Sequence, residues 1–317
     1  MLEKSEFLEF FADELCFCES GELYSQCHHS KHYKHFHELG IDRRKFAHRK
    51  RSCPVVSDAQ ACGNKTISSH SQQRNGSLKM ISESGHVLGF SDGPNATGVH
   101  GRKKLVKLSA RKASTFPGLC SEHDASVFSN IEKGPLKANY RSALSLSQRC
   151  ALYEAVVHSD GALFSNWLHA VPRFNFAFDT NIMIPEFENM LHYAGYTWNL
   201  VALLSKIERR ESIRKLYHLT AIVDEVLPFS GTGCFCIEND FLGRQLQAFN
   251  ETHNKFAYAQ ISVLPQVDGT TVVSLASTSD KNKYVSRKFI NSFRKALLYR
   301  CYPKTRIFSW VMTRKLS

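Results

Sequence analysis

The chain has 317 residues, 43% hydrophobic and 11% aromatic, with 41 Lys and Arg against 29 Asp and Glu, a formal charge of +12. That length exceeds one small domain, and the apolar content is enough for a core, so a disordered chain is excluded. No run of 18 apolar residues occurs, and Met1-Leu2-Glu3-Lys4 lacks the basic-then-apolar order of a signal peptide, so the expected compartment is the cytoplasm, with no membrane partner. Ten cysteines in a reducing compartment read as metal ligands or buried thiols, and six of them precede residue 121. Residues 31–112 hold 17 Lys and Arg against 5 Asp and Glu, which accounts for the whole net charge. A local excess of that kind suits a polyanion, because neutralised phosphates release counterions.

In chain order, Leu2, Phe7, Leu8, Phe10, Phe11 and Leu15 recur at three and four among acids, which predicts a short amphipathic helix over residues 2–15. Cys16-Phe17-Cys18, eight residues, then Cys27-His28 supply four ligand-type residues in a loop too short to bury a core. The order resembles the zinc motif at the carboxyl end of the SecA translocation ATPase. That resemblance implies a closed structural zinc held by Cys16, Cys18, Cys27 and His28, and a docking role for the knuckle. His29, His32, His35 and His37 predict the polar face of a following helix that ends at Gly40-Ile41-Asp42. A basic connector follows. Arg43, Arg44, Lys45, Arg49, Lys50 and Arg51, with Arg102, Lys103 and Lys104 further on, are the candidate nucleic-acid contacts.

A second module runs from Cys53 and Cys62 to Cys120-Ser121-Glu122-His123-Asp124, where Cys-x-x-His is half of a treble-clef zinc site. Between the halves the sequence predicts strands over 66–70 and 86–90, a turn at Asn75-Gly76, a short helix over 77–81 and a basic strand over 103–108. Two cysteines, a histidine at a strand end, an asparagine and Cys-x-x-His resemble the ββα-metal, or His-Asn-His, endonucleases over residues 53–132. The resemblance implies zinc on Cys53, Cys62, Cys120 and His123, and His70 as general base. It also implies Asp124 on a catalytic Mg²⁺ or Mn²⁺, with Asn75 or Asn130 orienting. His70 also reads as a zinc ligand beside Cys53, Cys62 and Cys120, so its role stays open here.

Beyond residue 136, Ser142–Leu168 reads as helical, and Ile184, Phe187, Met190, Leu191, Ala194, Trp198, Val201 and Leu204 mark a long amphipathic helix. Strands are predicted at 216–226, 234–237, 256–264 and 270–276, the last two joined by a turn at 265–269. A helix over 285–299 and a strand over 307–311 close the chain. Cys150, Cys234 and Cys236 read as buried thiols, and His158 with Asp160 as an acid-base pair too common to weigh.

The expected fold is α+β, with a helix and zinc knuckle over 1–39, a basic metal module over 40–135 and a mixed domain over 136–317. The expected function is zinc-dependent action on nucleic acid, as a metal-dependent endonuclease or defence effector, with a non-catalytic adaptor for nucleic acid or protein as the alternative. The carboxyl domain, which shows no Gly-rich phosphate loop or nucleophile elbow, is expected to oligomerise or recognise a partner.

Overall fold

A computed structural model describes residues 11–29, 31–32, 34, 36–57, 60–90, 105–170, 180–208, 216–248, 256–278, 283–299 and 305–310. The helices are α1 (Phe36–Ala47), α2 (Ser121–Glu132), α3 (Tyr140–Ala170), α4 (Thr180–Glu208) and α5 (Lys283–Tyr299). The strands are β1 (Val56–Ser57), β2 (Gln60–Ala61), β3 (Ser68–His70), β4 (His86–Phe90), β5 (Leu105–Ser109), β6 (Thr115–Pro117), β7 (Leu216–Val223), β8 (Gly231–Cys236), β9 (Tyr258–Pro265), β10 (Thr271–Thr278) and β11 (Thr305–Trp310). Helices and antiparallel strands lie in separate stretches, so the fold is α+β. No described helix is long and apolar enough to cross a membrane.

Three elements differ from the sequence reading. Residues 11–15 form turns, and Leu15 bridges Leu23; residues 2–10 of the expected helix lie outside the described residues. The helix expected to stop at Gly40 continues to Ala47. Leu39, Asp42 and Phe46 are buried at three- and four-residue spacings, and burying that face outweighs the roughly 1 kcal/mol that an interior glycine costs. The short helix expected at 77–81 is a π-helical turn at Arg74–Leu78.

The described residues form two compact units. The first draws on 1–69, 88–124 and 155–197, the second on 70–87, 125–154 and 198–317. In the first unit Phe17, Tyr24, Leu39, Phe46, Phe164, Trp167 and Leu168 make one core.

The second unit is built on a five-stranded antiparallel sheet in the order β11-β7-β10-β9-β8. Period-two alternation divides its faces. On one face Leu219, Ala221, Ala259 and Leu275 pack against Val285, Phe289, Ile290 and Phe293 of α5. On the other, Gln260, Ala276 and His218 form one cross-strand row, and Ser262, Ser274 and Thr220 form the next. The first half of α3 covers this polar face: the Tyr140 ring lies 5.4 Å from that of His218, and Glu154 accepts a hydrogen bond from the Cys234 N–H at 3.4 Å.

His218 is 1% exposed, and neither ring nitrogen has a hydrogen-bond partner. Burial lowers its pKa from 6.5 to about 4. The unfolded chain therefore takes up a proton near pH 6.5 that the folded chain refuses until near pH 4. Stability present above pH 6.5 is lost as pH falls across that window, by about 3 kcal/mol at most. Urea midpoints measured from pH 7 to 4.5 should fall steeply for the parent and much less for His218→Leu. Equal slopes for the two would refute the assignment.

Candidate metal centres

The first donor set is held by a tight knuckle. Cys16 N–H bonds to the Glu22 carbonyl at 2.8 Å and Tyr24 N–H to the Glu14 carbonyl at 2.7 Å, which brings both ends of the loop together. The reversal needs a left-handed residue, and Gly21 supplies it at φ 86°. His28 Nδ1 lies 3.1 Å from both Cys16 Sγ and Cys27 Sγ, and Cys18 Sγ lies 3.6 Å from Cys27 Sγ. Ser20 Oγ donates to Cys27 Sγ at 3.6 Å, a contact that supports a thiolate. Behind the set, Phe17 stacks on Trp167 at 5.3 Å, and the His28 ring meets Trp167 edge-on at 5.2 Å. The knuckle is bedded on the core of its unit.

The second set is assembled from three places in the chain. Between Cys53 and Cys62, β1 pairs with β2 antiparallel in the register Val56↔Ala61 and Ser57↔Gln60. Cys53 N–H bonds to the Asn64 carbonyl at 2.8 Å and Cys62 N–H to the Val55 carbonyl at 3.0 Å, so the two cysteines flank the paired strands. The other half arrives through β6, which pairs with β3 and runs into Cys120 and α2. Gly118 allows the approach: a Cβ there would sit 2.8 Å from the Phe116 ring and 3.2 Å from Ser69 Oγ. Cys62 Sγ and Cys120 Sγ are 3.8 Å apart, while His123 Nδ1 lies 3.6 Å from Cys53 Sγ and 3.2 Å from Cys120 Sγ.

Both sets fit a zinc ion. Tetrahedral zinc at ordinary bond lengths spaces its sulfurs about 3.8 Å apart and sulfur from nitrogen about 3.6 Å. The donor atoms of each set all lie within 4.8 Å of one another. Each set carries three sulfurs and one imidazole, which closes four-coordination and marks a structural site. Each set holds one cysteine whose thiolate is favoured: the Cys16 thiol, hydrogen-bonded to Cys18, holds Cys18 well down and is itself pushed up, while burial raises Cys27 and Cys53. The His123 backbone N–H, at the amino end of α2, holds Cys120 down to about 7.

The other expected site residues are distributed as follows. His70 is half-buried at the end of β3, Asn75 is exposed on the π-helical turn, and Asn130 is half-buried on α2. Asp124 is 9% exposed and accepts a hydrogen bond from Ser69 Oγ at 2.6 Å. Arg43, Arg44, Lys45 and Lys50 are exposed, whereas Arg102, Lys103 and Lys104 lie outside the described residues. Arg49 and Arg51 instead converge on one buried carboxylate: Arg49 reaches Asp160 at 2.8 Å and Arg51 reaches both its oxygens at 2.5 Å. Asp160 is thus engaged by arginines, and the His158 ring stacks on Tyr193 at 5.3 Å. No local spacing announces an arginine-carboxylate contact across 109 residues.

Cys150 is fully buried, and burial pushes its thiol well up. Cys234 and Cys236 are half-buried, and burial raises them to about 12 and about 11. Among the described residues none of these three joins a donor set. No protein-family model, curated protein or solved structure matches the chain, so the case for zinc at the two donor sets rests on their geometry and donor chemistry.

Proposed function

We propose that this protein is a zinc-organised, nucleic-acid-acting protein of the cytoplasm, in which the second donor set scaffolds a metal-dependent endonuclease site. The observation that supports it is local order around that set. The strand ending in His70 pairs with the strand that delivers Cys120, and a helix carrying His123 follows. Two strands and a helix built on Cys-x-x-His is the arrangement that the ββα-metal resemblance leads one to expect. In this reading His70 takes a proton from the water that attacks the phosphodiester, while Asn75 or Asn130 orients it. Bound Mg²⁺ or Mn²⁺ would offset the charge gathering on the phosphate. Arg43, Arg44, Lys45 and Lys50 hold the backbone of the substrate, and Arg102, Lys103 and Lys104 are proposed to add to them. A defence effector is the setting that such a nuclease fits.

The test is cleavage of plasmid and total RNA with Mg²⁺ or Mn²⁺. His70→Ala should lose about 100-fold or more of the activity while keeping two zincs per chain. A parent protein that is inert on both substrates would sink the nuclease. Asp124 specifically favours a second reading, a non-catalytic zinc adaptor for nucleic acid or protein, since its carboxylate is buried and already bonded to Ser69. Binding that weakens steeply with salt, without turnover, is its signature.

A further inference from the structure

α5 is charged on one side and with one sign. Its 17 residues include five cations, Lys283, Arg287, Lys288, Arg294 and Lys295, and no Asp or Glu. Val285, Phe289, Ile290 and Phe293 are buried against the sheet. Tyr284, Arg287, Lys288, Arg294 and Lys295 are exposed on the opposite side, at spacings that form one stripe about 16 Å long. Among the described residues no carboxylate pairs with Arg287, Lys288 or Lys295. A helix face that serves only solubility mixes signs, since like charges at i,i+3 and i,i+4 repel. Holding these together without acids is a standing cost that a polyanion would relieve.

Two features choose among polyanions. A membrane-surface helix would bury its apolar side in lipid, but the apolar side of α5 is already core. At the start of the stripe Tyr284 is 62% exposed, and Lys288 Nζ lies 4.1 Å from its ring centroid. An exposed aromatic beside a row of cations is the arrangement that stacks an unpaired base while neighbouring phosphates are neutralised.

We infer that the outer face of α5 binds a single-stranded nucleic acid, with Arg287, Lys288, Arg294 and Lys295 along the phosphates and Tyr284 beneath a base. This rests on the reading of the chain as a nucleic-acid-acting protein and gives it a second contact surface. It is tested on the full-length zinc-loaded protein by anisotropy of a labelled 20-nucleotide oligothymidylate across a salt series. The variant Arg287→Gln/Lys288→Gln/Lys295→Gln should reduce the magnitude of the log K against log salt slope by about 2, at about 0.7 per phosphate. Tyr284→Ala should weaken binding at fixed salt by about 5-fold or more and leave the slope unchanged. The swap Arg287→Lys/Lys288→Arg, which keeps the charge, should keep the parent slope. All these side chains are exposed, and an unchanged melting temperature verifies the fold. A triple variant with the parent's slope, or tighter binding to a duplex of equal length than to the strand, would overturn the inference. Arg43→Gln/Arg44→Gln/Lys45→Gln, measured in parallel with His70-dependent cleavage, reports on the nuclease reading separately.

Discussion

Cys120→Ser should bind one zinc per chain in place of two and lose its cooperative thermal transition. A structural zinc contributes roughly 10–16 kcal/mol to the folding of small zinc peptides, comparable with the 5–15 kcal/mol that a whole domain holds in reserve. Cys120 meets Cys62 at 3.8 Å and His123 at 3.2 Å, and its N–H lies 3.5 Å from Cys53 Sγ, so its removal opens the site and loosens three segments together. Cys27→Ser should reduce the count to one from the other side. Cys150→Ser, at a buried thiol outside both sets, should keep two zincs. Metal content by mass spectrometry, with melting before and after chelation, decides the matter. A chelated protein that melts with the native one would remove both centres from the fold.

Asp160→Asn should cost about 3–5 kcal/mol, the scale for breaking a buried ion pair from one side. The side chains of Arg49, Arg51 and Asp160 are only 10%, 12% and 7% exposed, so loss of the carboxylate would leave Arg51 without its charge partner and Arg49 with only the half-exposed Glu19 at 3.4 Å, both in a poorly hydrated place. Replacing the group with Asp160→Leu/Arg49→Met/Arg51→Met should recover most of the loss, because no buried charge remains uncompensated. Chemical denaturation of the three proteins measures both effects. A single Asp160→Asn within 1 kcal/mol of the parent would refute the account. The triad also bears on nucleic-acid binding, because substitutions at Arg49 and Arg51 would report stability, whereas Arg43, Arg44, Lys45 and Lys50 report surface charge.

Much of the metal chemistry was legible because it is written in short spacings. Cys16-x-Cys18 with Cys27-His28, and Cys120-x-x-His123, place donors within a single turn. The Cys53 and Cys62 pair has no such short spacing and is indicated only by the second half-site's need for a complement; the pairing of β1 with β2 between the two cysteines accounts for their separation. The strands of the second unit were readable from alternation and the turn at 265–269. Long-range choices were not. Whether a helix survives Gly40 depends on what Leu39 and Phe46 bury against, and Arg49 looks like any surface cation until Asp160 is brought to it. The basic stripe of α5 was hidden in another way: averaged over the rest of the chain, acids elsewhere cancel its charge.

The interleaving of the two units along the chain limits how this protein could be shortened. The chain passes between them at residues 69–70, 87–88, 124–125, 154–155 and 197–198. A cut anywhere from 70 to 197 therefore leaves fragments of both units on each side. Neither can be taken out as one continuous piece. A truncation series across that stretch should therefore yield insoluble fragments, where a tandem of independent domains would yield two folded products.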